Sequence, residues 1–312
     1  MQVSVVICCF NSASRITPTL EHLANQDLKG LRCEVVLVDN NCADDTVEKA
    51  VNTWEILRSP FPLLIILEKE PGLSLARKAG VIAAQGEIII FCDDDNWLDN
   101  NYLSVAYQTM SLNKRIGVLA GQSRAVSDIE IPTWFYTYYG WYACGVLAME
   151  SGDVTTRKWV WGAGMVLRRD VMLKMYMTFS HLTTDRKGTD LSSGGDVEIC
   201  LWHIISDYKL WYSAELSLCH YMEHSRLNPE VAVKQFAAQN KSAFALKKLD
   251  LLASEYLIWS LSKSGYILSI LRQLAKFKLI TFLSKVNCYL VFSGLIHNKL
   301  MDSAKIIKKG NT

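Results

Sequence analysis

Three consecutive carboxylates, Asp93, Asp94 and Asp95, follow the apolar run 88–92 in the segment "GEIIIFCDDDNWLDNNYL" (86–103). Adjacent like charges repel, and a fold tolerates them only where hydrogen bonds, water or a cation compensates. Oxygen clusters of this kind suit hard divalent cations, which take one or two carboxylates together with substrate phosphates. A helix cap or a solvated turn is the plain alternative for the same residues. A further acid, Asp196, follows Gly194 and Gly195 in "DLSSGGDVEICLWHII" (190–205). A carboxylate on a glycine-preceded turn can project into a cleft and take the proton of an attacking hydroxyl. Helix capping is again the alternative, and Glu198, inside the same helix, is a second candidate base. His220 and Arg226 could balance phosphate charge, the arginine through its two-pronged guanidinium; a structural histidine is equally consistent.

Elements must hold these groups in place. The runs "VSVVICCF" (3–10), "CEVVLVDNN" (33–41), "PLLIILEKE" (62–70) and "GEIIIFCDDD" (86–95) read as strands that end in polar residues. Apolar residues at helical spacing predict helices over 14–25, from 44 through Trp54, and over 73–84. Continuous apolar strands alternating with helices imply an α/β fold, a mostly parallel sheet covered on both faces. Ligands of such sheets bind outside the carboxyl ends of the strands, where the acidic triple falls. The rhythm is lost past Asn113. There "WFYTYYGWY" (134–142) places seven aromatics in nine residues, suited to a sugar face, to lipid headgroups or to a core. Asp99, Arg168 and Arg169 read as solvated charges.

With 312 residues, half of them hydrophobic and 21% charged, the chain can bury a sizeable core in one or two domains. A net charge of +2 gives no nucleic-acid signature. Its distribution is uneven: residues 245–312 carry eleven Lys and Arg against three acids, which leaves an acidic body. The longest apolar window, 279–296, contains Lys285 and Asn287. A lysine at the centre of a span costs about 2.5–3.5 kcal/mol on insertion. Amphipathic helices on an anionic membrane surface are therefore expected, with a packed helical subdomain as the alternative. Nine scattered cysteines without a CxxC pair read as reduced, mostly buried thiols. The opening "MQVSVVICCF" reads as a strand and not as a secretory leader.

Over residues 3–242 the chain resembles family 2 glycosyltransferases. The likeness lies in "VSVVICCFNSASRI", "EVVLVDNNCADDT", "GLSLARKAGVIAAQGEIIIFCDDD", "GGDVEICLW" and "HYMEHSRLN", five motifs in the family's order. It implies a GT-A fold over 1–242, with 243–312 as a C-terminal helical segment. It also implies inverting, metal-dependent transfer from a nucleotide-sugar, by default UDP-linked, to a hydroxyl of a lipid-linked or saccharide acceptor. Cys9, Phe10 and Asn11 would line the nucleotide cleft, Asp39 would bind the base, and Arg77 would sit near the base or pyrophosphate. Asp93 and Asp94 would contact the nucleotide-sugar, Arg226 the diphosphate, and Trp161, Gly162 and Ala163 the acceptor. Asp95, Asp93 and His220 would hold Mg2+ or Mn2+, and Asp196 would be the base. Lys78, where relatives often have Asn, and Glu223, where they often have Pro, depart from the pattern. The implied setting is bacterial surface-polysaccharide assembly, cytoplasmic and peripheral at the inner face of the plasma membrane. A sugar-phosphate nucleotidyltransferase and a non-catalytic membrane scaffold are the alternatives; the first lacks its Gly-rich basic turn in "CCFNSASRI".

Overall fold

Four apolar segments pair in parallel and set the frame of the molecule. The computed structural model describes residues 1–183, 185–187, 193–261 and 267. β1 (Val3–Cys9), α1 (Ile16–Ala24), β2 (Cys33–Asp39), α2 (Thr46–Ile56), β3 (Leu63–Leu67), α3 (Leu73–Ala83) and β4 (Ile88–Phe91) alternate as the apolar periodicity predicts. Then come β5 (Asn96–Leu98), α4 (Tyr102–Leu112), β6 (Ile116–Val126), the single turn α5 (Phe135–Tyr138), β7 (Gly152–Asp153) and β8 (Val166–Arg168). α6 (Arg169–Thr178), α7 (Gly195–Ile205), β9 (Lys209–Tyr221) and α8 (Pro229–Leu261) complete the described elements. The sheet runs β3-β2-β1-β4-β8-β6-β9-β5, with β7 against β9. The pairs among β3, β2, β1 and β4 are parallel, whereas β8 is antiparallel to both neighbours and β5 antiparallel to β9.

Successive side chains of a strand point to opposite faces, so each central strand feeds two cores. Val6, Val36, Val38, Ile89 and Phe91 face a layer made by α3, α6, α7 and α8. Val5, Ile7, Val35, Leu37 and Ile90 face α1, α2 and α4. A smaller cluster of Phe135, Tyr142, Cys144, Met222, Leu227 and Ala232 seats the aromatic turn against the start of α8. Phe135 and Tyr142 thus serve packing, while Tyr136, Tyr138, Tyr139 and Trp141 are exposed.

Two expectations are corrected. Arg168 is buried and not solvated: its guanidinium donates to the carbonyls of Met110, Asn113 and Ile116, closing the turn between α4 and β6. Carbonyls left open at a helix end supply that demand. Glu198 is fully buried and accepts the Leu182 and Thr183 amides and the Thr183 hydroxyl, so it anchors a loop and is removed as a base. α8 passes residues 242 and 243 without a break, and Leu246, Leu249, Ala253, Tyr256 and Trp259 enter the main core. Beyond it, the membrane-surface expectation falls almost wholly outside the described residues. No helix of the described residues is long and apolar enough to cross a membrane. Eight cysteines are described, all free and six of them buried.

Candidate active site

β4 ends at Phe91 opposite Val6, while β1 runs on beside β2 to Cys9, and both strands then give way to polar residues. The acidic triple is compensated by cations drawn from three other segments. Asp94 receives a two-pronged contact from Arg15, whose Nε and Nη2 lie 3.0 Å from its two oxygens. The Ser12 hydroxyl donates to the same carboxylate, and the Thr19 hydroxyl to its backbone carbonyl. Asp94 thereby ties the first turn to the exit of β4. Burial pushes its pKa up, with Asp95 adding to the shift and Arg15 opposing it.

Asp95 is placed by register. Antiparallel pairing sets Asn96 opposite His220, so His220 Nε2 lies 3.3 Å from Asp95 Oδ1. Arg226, from the 3-10 turn after β9, donates from Nη1 to Asp95 Oδ2 at 2.9 Å. Burial disfavours the Asp95 charge, but His220 and Arg226 outweigh it and hold the carboxyl below its ordinary value. Asp93 is more open, its side chain about one-third exposed. It pairs at 3.6 Å with Arg77 of α3, whose other nitrogen is 3.6 Å from Asp185. Arg77 is buried over the Phe91 ring, and Asp93 and Asp185 outweigh the cost of burying its charge. Asp185 itself is pushed up to about 6, by burial first, with Arg77 opposing and Asp196 adding.

Asp196 sits in the first turn of α7, after Gly194, whose φ of 131° is a conformation side chains rarely adopt. It is not the helix cap. Its Oδ1 accepts the Val197 amide at 2.8 Å and its Oδ2 the Gly162 amide at 3.2 Å. A Cβ at Gly162 would stand 2.9 Å from Arg77 Nη2 and 3.2 Å from Asp196 Cβ, so a side chain here would crowd both groups.

One cavity of about 1020 Å³ brings these groups together. Its lining includes Cys9 and Phe10, Arg77, the three aspartates 93–95, Asp196, His220 and Arg226. Trp161, Gly162 and Ala163 join them from the expected acceptor side. Asn11 and Asp39 do not line it: Asn11 accepts the Ala43 amide and Asp39 the Cys42 amide, in the turns after β1 and β2. Asn40, next to Asp39, does line the cavity. Arg15, Asp185 and the α8 face also line the cavity, and none of them was legible in the sequence as a site residue. Arg15 stands inside a motif already singled out, "NSASRI", and a lone arginine there was the available signal.

Asp95 and His220 are the residues that could hold a divalent cation, which would have to displace the proton that makes His220 a cation beside Asp95. Two ligands each about 2.1 Å from one ion and roughly at right angles stand about 3 Å apart, close to the Asp95–His220 separation. Among the described residues no group of three His, Cys, Asp or Glu converges. Two protein ligands suffice where a substrate diphosphate supplies the remaining oxygens.

An α/β sheet with helices on both faces and an open cavity at its strand exits is the GT-A class of fold. Residues 4–172, more than half of the chain, match glycosyl transferase family 2, and the chain belongs to that family. It is similar to the cholesterol galactosyltransferase of Borreliella burgdorferi, 34% identical over 109 residues, which cover 34% of this chain and 28% of that protein. The chain thus aligns with less than a third of that relative's length. The fold is similar to that of Staphylococcus aureus TarS 1–349 in complex with UDP-GlcNAc, at TM-score 0.55 and 18% identity, over 86% of this chain and 76% of that one. GalNAc-T7 with UDP, GalNAc and Mn2+ gives TM-score 0.53 at 13% identity, over 71% and 44%. At these identities the likeness is one of fold.

Proposed function

We propose that the chain transfers a sugar from a nucleotide-sugar to an acceptor hydroxyl with inversion at the anomeric carbon. The observation that carries this reading is a single cavity holding both the acidic strand exit and a separate, backbone-fixed carboxylate. The acceptor oxygen attacks the anomeric carbon as the bond to the diphosphate breaks and its electron pair leaves with the phosphate. Asp196 takes the hydroxyl proton. Attack from the face opposite the leaving group inverts the centre. Arg226 and Arg77 place positive charge beside the cavity, where a leaving diphosphate gathers negative charge. A Mg2+ or Mn2+ ion, when bound, would neutralise that charge; Asp95 and His220 would hold it, with the more open Asp93 as a second oxygen donor.

UDP is the proposed nucleotide. Two structural neighbours were solved with UDP or a UDP-sugar, and Asp39 ends the strand beside cavity-lining Asn40. The proposed setting is surface-polysaccharide assembly at the inner face of the plasma membrane. Supporting it is the basic composition of 245–312. In this reading the catalytic body extends through α8, and the surface role falls to 262–312.

The test is a panel of UDP-, GDP- and dTDP-sugars incubated with the full chain, with and without Mn2+. Release of nucleoside diphosphate from at least one UDP-sugar, dependent on the metal, is expected. No release from any donor would overturn the enzymatic reading.

A further inference from the structure

The cavity of about 1020 Å³ extends past the acidic strand exit. Part of it is bounded by α8. Gln239, Ser242, Ala243, Leu246, Lys247 and Asp250 line the cavity and recur in steps of three and four, which is one stripe of a helix. Asp250 is held by Lys158 at 2.6 Å, and Lys158 also reaches the Ser254 hydroxyl.

Tyr139, Trp141 and Trp159 line the same cavity. Tyr139 is 41% and Trp141 46% exposed, a large ring surface left to water in a cleft. These rings are fixed in position. Gln235 and Gln239 of α8 donate to the Trp141 carbonyl, and the Trp141 ring lies 5.0 Å from Phe236. Trp161 Nε1 donates to the Gly140 carbonyl at 3.0 Å, which ties the aromatic turn to the segment whose Gly162 amide holds Asp196. Arg157 covers one side of Trp159, 4.1 Å from its centroid, which leaves Tyr139 and Trp141 as the open rings.

We infer that these rings and the α8 stripe form an acceptor subsite, and that the acceptor bound there is a saccharide. The inference rests on the glycosyltransferase reading. A pyranose has flat CH faces that cover an aromatic ring, and hydroxyls around its edge that need polar partners. Amide, hydroxyl, ammonium and carboxylate groups interleaved with aromatics meet both needs. A lipid chain in the same place would bury the exposed Lys247 ammonium against hydrocarbon at a cost, whereas Gln239, Ser242 and Asp250 have protein partners already.

The test uses the full chain with Mn2+ and UDP. Methyl β-glycosides of glucose, galactose and N-acetylglucosamine are titrated by saturation-transfer NMR and tryptophan fluorescence, and UDP affinity is measured separately. The exposed positions Trp141→Ala and Lys247→Ala are compared with Trp141→Phe. At least one glycoside is expected to bind saturably in the millimolar range. Its affinity should fall at least fivefold in Trp141→Ala and in Lys247→Ala and largely return in Trp141→Phe, with UDP affinity unchanged throughout. No glycoside binding to the UDP-loaded wild type, or equal binding in all variants, overturns the inference. Binding of anionic phospholipid vesicles that Trp141→Ala abolishes, without glycoside binding, also overturns it. If UDP fails to bind, the enzymatic reading falls, and the glycoside titration repeated without UDP still decides this one by the same criteria.

Discussion

Each adjacent carboxylate has its own cation: Arg77 beside Asp93, Arg15 beside Asp94, and Arg226 with His220 beside Asp95. That pairing separates three chemically identical residues into different tasks. Asp94 is spent on bracing the first turn, while Asp93 stays open toward the cavity. The residue types announced the acids and their location, because few other reasons put carboxylates at a buried strand's end. Their partners were not legible, since Arg15 and Asp94 are 79 residues apart and only the tertiary fold joins them. The same holds for Gly162, whose amide fixes Asp196 across 34 residues. Gly162→Ala tests that contact. Arg77 is paired with two carboxylates that resist its moving away, so the added Cβ should push against the Asp196 turn. Overpacking of this kind costs about 1–3 kcal/mol. The variant should unfold at lower denaturant concentration and lose most transfer while still binding UDP; wild-type turnover would show that the Gly162–Asp196 approach is irrelevant to catalysis.

At the scale of elements, β1 to β4 and their helices were readable because each is a near-continuous apolar run or a helical repeat. β6, β8 and β9 were not. β6 and β9 pair with register shifts, β8 spans three residues, and the β–α alternation that marks a parallel sheet ends at β4. α7 was legible as a helix, but the burial of its polar residues was not. His203 is fully buried, its Nδ1 directed at the Ile199 carbonyl, and burial pulls its pKa from 6.5 to about 4. Between those values the unfolded chain binds a proton that the folded chain does not. The His203 contribution to stability is therefore complete above pH 6.5 and is lost as pH falls toward 4, by up to about 3 kcal/mol. Denaturant midpoints of wild type and His203→Gln from pH 7 to pH 4 should converge with acidification. A constant gap would mean that His203 does not titrate in this window.

For the whole molecule, the junction expected at residues 242 and 243 crosses an unbroken helix whose later turns fill the core. Composition shifts at that point, but composition does not reveal that Leu246, Leu249 and Tyr256 are buried against the sheet layer. A chain ending at Lys241 should therefore lose cooperative unfolding. One ending at Leu261 should keep it and fail to sediment with anionic vesicles that the full chain binds; equal sedimentation would remove the surface role from 262–312. Charge attraction of that kind should weaken with added salt. The cavity at the strand exits remains the centre of the molecule's proposed work, and titration calorimetry of UDP in the presence of Mn2+ addresses it most directly. UDP should bind the wild type and Asp196→Asn with equal affinity and bind Asp95→Ala at least tenfold more weakly, with Asp196→Asn alone binding normally yet transferring no sugar. Equal UDP affinity in Asp95→Ala, or normal transfer by Asp196→Asn, would contradict the division between a donor-binding acidic exit and a separate base.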